Sequence, residues 1–308
     1  MEKRLYSAVY AHNEYKETLT HSRQNIHLTE KEVNQLDQLL TSRITLGQSL
    51  YHVVVNNKDD IPVCINTLYN YIGNGILTCR NIDLPRRVRY ALKANKRHHK
   101  VDTNCRIDRT FKDFEQFLID YPETPVIEMD SVEGVKGGKV LLTLIFKGSN
   151  VMLSFLRNQN TSASVIEIFD KLEEQIGLDE FKNLFPVILT DNGTEFSNPT
   201  RLETSKSGEQ RCKIFYCDPG ASYQKGSIEK NHEFIRYFIP KHQSFDNLTQ
   251  PMVDSMMSNI NSYTRKFLGD KNPIDMFNFL HPNSKLLKIP QLRKISPKDV
   301  NMSSSLFK

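Results

Sequence analysis

Between residues 124 and 238 the spacing of apolar side chains changes period in a fixed order, and that order limits the possible folds more than any other property of the chain. TPVIEMDSV (residues 124–132) and GKVLLTLIFKGSNVMLSFL (138–156) hold three short strand-like segments parted by Gly and Asn turn signals, which predicts an antiparallel meander. SASVIEIFDKLEEQIGL (162–178) then places Val165, Ile168, Phe169, Leu172 and Ile176 on one helical face. FPVILTDNGTEF (185–196) is an apolar strand that ends on Thr190 and Asp191, and KIFYC (213–217) is a further strand. The stretch YCDPGASYQKGSIEKNHEFIRYFIP (216–240) passes from a turn into a helix. Strand, strand, strand, helix, strand, loop, strand, helix describes an α/β mixed sheet with flanking helices.

Upstream of Tyr121 the period is helical throughout. LTEKEVNQLDQLL (28–40) opens with Thr29 and Glu32 in capping-box spacing, followed by an apolar stripe of Val33, Leu36, Leu39 and Leu40. IPVCINTLYNYIGNGIL (61–77) repeats Ile65, Leu68, Tyr69 and Ile72 at helical spacing, with Gly73 and Gly75 as a stop. Asn66 and Thr67 give that helix a polar beginning, as in a helix-turn-helix reader, although an ordinary three-helix packing unit has the same pattern. The expected division is an all-helical region with a basic connector (1–100), a linker helix (101–120), the mixed-sheet core (121–245) and a C-terminal helical extension and tail (246–308).

Charge adds a location. The net charge of +5 is modest, yet the segment 80–100 holds eight basic residues, Arg86, Arg87 and Arg89 among them, against Asp83 alone. Such density attracts a polyanion, although a solvated linker has the same composition, and the run alone favours neither. Five cysteines without a CxxC pair argue against a disulfide framework or a cysteine-rich zinc site, and favour a reducing compartment. No run approaches the roughly 20 apolar residues needed to span a bilayer, so a soluble, cytoplasmic protein with no membrane partner is expected.

Three acids stand out within the core. Glu128 and Asp130 share one face of a strand, one charge more than a core-facing strand tolerates. Asp191 opens Asp-Asn-Gly at a strand end, which is equally the signature of an Asx turn. Glu229 lies in the last helix, after Gly226 and Ser227. In a sheet of this order the first strand is central and the fourth lies beside it, bringing Asp130 next to Asp191; a helix across the sheet end can add Glu229. Taken alone, the three acids are as readily solvated surface groups; crowded into one pocket they would call for divalent cations, and an all-oxygen set suits Mg²⁺ or Mn²⁺. Two such ions would serve in-line displacement at a phosphodiester. Arg236, seven residues past Glu229, returns to within about 20° of it, roughly 10 Å further along the helix, and can touch backbone phosphate. Lys225 and His232 are further candidates for contact with DNA, His232 being equally able to satisfy a local hydrogen bond.

These stretches together, VIEMDSVEG, ILTDNGTEFSNP, YCDPGASYQKGSIEKNHEFIRYFIPK and INSYTRKFLGDKNPIDMF, resemble bacterial transposases of the insertion-sequence-30 family. The resemblance implies a ribonuclease-H-like, integrase-like core with Asp130, Asp191 and Glu229 as catalytic, metal-binding acids, two Mg²⁺ ions, and Arg236 as a DNA-binding base. It implies cleavage at element ends, strand transfer by the freed 3′-hydroxyl, and a homo-oligomer on terminal inverted repeats and target DNA near the bacterial nucleoid. Two features depart from the pattern: 37 residues separate Asp191 from Glu229, longer than usual, and His232 stands where Asn is common. The segment 204–211 can absorb the extra length as a surface loop. The family also expects a DNA-binding helix-turn-helix ahead of residue 1, so a shortened copy with impaired end recognition is anticipated. A ribonuclease of the same fold and a non-catalytic DNA-binding regulator are the competing readings. The regulator would not need the three acids.

Overall fold

The computed structural model describes residues 7–24, 26, 28–85 and 104–308. The basic stretch around Arg86, Arg87 and Arg89 therefore lies outside the described residues. Four helices come first: α1 (Ala8–Gln24), α2 (Glu30–Thr45), α3 (Leu50–Asn56) and α4 (Ile65–Gly73). Thr29 and Glu32 form the expected reciprocal capping box at the start of α2. Leu36, Leu40 and Ile44 of α2 pack with Leu50 and Val53 of α3 and with Leu68 and Ile72 of α4 in one small core.

The helix α5 (Phe111–Asp120) leads into the sheet, whose strands are β1 (Val126–Glu133), β2 (Val140–Phe146), β3 (Met152–Arg157), β4 (Val187–Thr190) and β5 (Lys213–Tyr216). Their spatial order is β3-β2-β1-β4-β5. The first three are antiparallel, whereas β4 runs parallel to both β1 and β5. The mixed sheet with flanking helices is the architecture the periodicities predict; it is a ribonuclease-H-like, integrase-like core, and a helical region precedes it.

Strand alternation divides the packing. Ile127, Met129, Leu142, Leu144 and Ile188 face α6 (Ser162–Ile176) and α7 (Leu178–Leu184). Gly177 joins these two helices with φ 89°, a conformation that disfavours any side chain. Each large apolar side chain fully buried there contributes about 1.5–3 kcal/mol. On the other face, α5 covers β4 and β5 through Phe114 against Val187, Leu189 and Phe215. Val132, Leu141, Ile145 and Met152 meet α9 (Gly226–Phe238) and α10 (Gln250–Ser262), so α10 shares the core of the central strands. The short α8 (Pro199–Glu203) precedes β5, and α11 (Pro273–Leu280) adds Ile274 and Phe277 to the first face.

The segment 204–211 is exposed at its tip but anchored at its end. Arg211 is buried, its Nη1 donating to Asp170 at 2.7 Å and to Glu173 at 2.9 Å. The helical unit is tied to the chain's C-terminal segment: Gln48 Nε2 donates to the carbonyls of Pro297 (3.1 Å) and Val300 (2.7 Å), and Met302 N donates to Leu46 O at 2.7 Å. Among the described residues no helix is long and apolar enough to cross a membrane.

Candidate active site

The parallel ladder between β1 and β4 ends at Glu128 opposite Leu189. Just past it stand Asp130, inside β1 two residues beyond the ladder, and Asp191, immediately after the carboxyl end of β4, the end at which α/β sheets place ligands. Asp130 Oδ1 accepts the Ser131 N–H at 2.8 Å, and Asp191 Oδ1 accepts the Gly193 N–H at 3.2 Å. The Asx turn and the functional reading of Asp191 thus coexist, because each carboxylate spends one oxygen on its own backbone and keeps the other free. Between the two free oxygens lies the Lys225 ammonium, 3.3 Å from Asp130 Oδ2 and 3.7 Å from Asp191 Oδ2. Its Nζ also donates to Met129 O at 3.3 Å, and Lys225 is only 4% exposed.

Both carboxyls titrate above their ordinary range. Burial raises Asp130 most, with Glu195 adding to the rise, against the pull of Lys225 and the Ser131 N–H. Asp191, whose side chain is 48% exposed, is raised by desolvation and by the neighbouring Asp130, with Lys225 opposing the rise. Glu229 is exposed on α9. The structure brings Asp130 and Asp191 together around Lys225, and among the described residues no three His, Cys, Asp or Glu side chains are grouped to hold a metal ion.

The donor set nevertheless fits a hard cation. Two carboxylates already share one positive charge, and Mg²⁺ is commonly held by one or two carboxylates, with water and substrate phosphate completing its shell. Asp130 and Asp191 would be its protein ligands.

The helix carrying Glu229 is fixed by a residue with no assigned role in the sequence reading. Glu128, 1% exposed, accepts the Ile228 N–H on Oε2 at 2.8 Å in the first turn of α9. Its charge, one too many for a core strand, satisfies an open helix-end donor. Glu195 is a second such residue, 7% exposed and felt electrostatically by Asp130 and Arg157. Its only signal was a position beside buried Phe196, in a motif dominated by its turn.

His232 takes the local hydrogen bond. Thr143 Oγ1 donates its hydrogen to Asp130 O at 2.9 Å, so in the contact of 2.8 Å between His232 Nε2 and Thr143 Oγ1 the imidazole is the donor. Burial, then Lys225 and Arg236, lower its pKa to about 3, keeping the ring neutral. Arg236 is half-buried, with Nη2 donating to Glu133 O at 3.0 Å and the guanidinium 5.9 Å from the centre of the Phe245 ring. Gly134, the next residue, permits this closure: a Cβ there would lie 2.2 Å from Gln243 O. In the helical unit Asn66 is exposed on α4, and Thr67 is half-buried, its Oγ1 3.2 Å from Cys64 Sγ.

No family model matches the chain. It is 28% identical over 227 residues to a probable transposase for the insertion-like sequence element IS1161 of Streptococcus salivarius, a match spanning 72% of this chain and 61% of that protein. It is 24% identical over 273 residues to the putative integrase ORF3 of Spiroplasma virus SpV1-R8A2 B, covering 88% of this chain and 81% of that one. The chain is a diverged transposase/integrase-superfamily protein. Among solved structures, the catalytic core domain of BIV integrase aligns with a TM-score of 0.38 at 15% identity, over 51% of this chain and 95% of that domain.

Proposed function

We propose that the protein is an Asp-Asp-Glu transposase of the insertion-sequence-30 type, cutting DNA at element ends and joining the freed 3′-hydroxyl to a second phosphodiester. The observation that supports this best is the pair Asp130 and Asp191, side by side where the parallel pairing of β1 and β4 ends and sharing one cation through the oxygens their own backbones leave unused. Asp130 and Asp191 would hold Mg²⁺ or Mn²⁺, and Glu229 would complete the set for a second ion when α9 meets substrate. Bound ions supply Lewis-acid stabilisation of an in-line displacement and lower the pKa of the attacking water. The chain's own residues do the positioning. Glu128 holds the first turn of α9, His232 and Thr143 fix the backbone carbonyl of Asp130, and Arg236 ties α9 to the end of β1.

DNA would reach this cleft held by the exposed start of α4 and by the basic stretch containing Arg86, Arg87 and Arg89, on a homo-oligomer that pairs two element ends. The test is direct. Purified protein with Mg²⁺ or Mn²⁺ is incubated with duplex carrying the sequences that flank its gene, with an RNA–DNA hybrid for comparison. Nicking and joining of the DNA is expected. DNA binding without metal-dependent cleavage would replace the reading with that of a regulator, and preference for the hybrid would replace it with that of a ribonuclease.

A further inference from the structure

We propose that Lys225 is the resident counter-ion of the Asp130–Asp191 pair, an internal cation that any divalent ion must displace, so that it sets the concentration at which metal enters. The proposal rests on the metal reading of the two acids given above and extends it to a residue that reading does not use.

The geometry is that of a built-in competitor. The ammonium contacts the two carboxylate oxygens left free by the backbone, at 3.3 and 3.7 Å, and completes its donors on Met129 O. Those two oxygens are the ones a shared cation would take, and a single charge site cannot hold both occupants. Lys225 is delivered there by a fixed support, since it immediately precedes α9, whose third residue, Ile228, is bound by Glu128. A lysine stem is long and flexible while the ammonium is a compact point charge, so it can leave without moving the helix. Without it, two adjacent carboxylates in a partly desolvated cleft would repel one another. In metal-free protein the lysine therefore keeps the pair assembled.

The experiment titrates Mn²⁺ into the full-length protein at fixed pH and ionic strength and follows loss of the free-ion paramagnetic resonance signal, which reads binding without reference to activity. Lys225→Met, which keeps the stem and removes the charge, should bind Mn²⁺ roughly tenfold more tightly than the parent. Lys225→Arg, which keeps a cation, should bind no more tightly than the parent. Circular dichroism confirms folding, and Lys225→Gln replaces the Met variant if that one does not fold without metal. Equal or weaker Mn²⁺ affinity in a folded, charge-removed variant overturns the proposal while leaving the metal reading intact, provided Asp191→Asn abolishes binding to the parent. Binding that survives Asp191→Asn unchanged removes the metal reading itself, and this inference with it.

Discussion

Glu128 Oε2 receives the backbone N–H of Ile228 at 2.8 Å, so a carboxylate on the central strand holds the first turn of the helix that carries Glu229 and is preceded by Lys225. Both groups are buried. Glu128→Ala should therefore cost about 1–3 kcal/mol, the penalty for a buried unsatisfied donor. Glu128→Gln keeps an acceptor oxygen and should lose less. Urea unfolding of the two variants checks the order; equal losses would mean that the bond holds nothing.

Asp191→Asn isolates chemistry from folding, because the Asn side-chain oxygen can still accept the Gly193 N–H that closes the Asx turn. DNA nicking and strand transfer should fall by at least about a thousandfold, with duplex binding kept. Nicking near the parental rate, measured beside binding, would remove Asp191 from the catalytic set.

How much of this was readable beforehand depends on whether the signal is periodic or spatial. The adjacency of Asp130 and Asp191 follows from strand order alone, which the alternation of periods fixes, and the Thr29–Glu32 box was readable because a cap is local. Lys225 was not readable as a partner of those acids. A lysine in a polar turn looks like an exposed cation, and only the placement of α9 threads its stem inward. Arg211, at the end of a polar stretch, was hidden the same way, since its partners Asp170 and Glu173 lie on α6. The helix α7 carries little sequence signal because LDEFKNL is short and has no side-chain cap.

His52 gives the stability a pH dependence of known sign. Its Nδ1 accepts the Thr264 N–H at 3.1 Å, its Nε2 faces Pro297 O at 3.1 Å, and its ring stacks on Tyr263, so the neutral imidazole is the one the site accommodates. Burial lowers its pKa to about 4, with Arg265 adding to the fall and the Pro297 contact opposing it. The unfolded chain takes up a proton near pH 6.5 that the folded chain refuses. Stability is therefore whole above that pH and is lost as pH falls from about 6.5 towards 4, at up to about 1.4 kcal/mol per unit for this group. Urea midpoints at pH 7.5 and 5 should separate more for the parent than for His52→Gln. Equal separations would assign the acid lability to other groups such as His232.

Arg236→Ala should lower stability by about 1–2 kcal/mol, because the side chain donates to Glu133 O and is half-buried beside Phe245. The salt dependence of DNA binding separates this role from the phosphate contact expected from the family. An unchanged log–log slope supports the structural tie, whereas a slope lower by about one unit puts the guanidinium on a phosphate.

Reading and holding of DNA should separate in the N-terminal unit. Asn66 is exposed at the start of α4, on a helix whose Leu68, Tyr71 and Ile72 face the small core. An amide there can reach a base edge in the major groove, where a bidentate pair discriminates by about 1–3 kcal/mol. The charges of Arg86, Arg87 and Arg89 act on phosphate, which carries no sequence information. Asn66→Ala should accordingly narrow the gap between terminal-repeat and scrambled duplex and leave the salt slope alone. The triple substitution of Arg86, Arg87 and Arg89 by Ala should lower the slope by about three units and weaken both duplexes alike. Titrating both duplexes at several salt concentrations gives slope and preference from the same data. If Asn66→Ala changes neither quantity, α4 does not read bases, and the helical unit serves to pack against the C-terminal segment that Gln48 and His52 already bind.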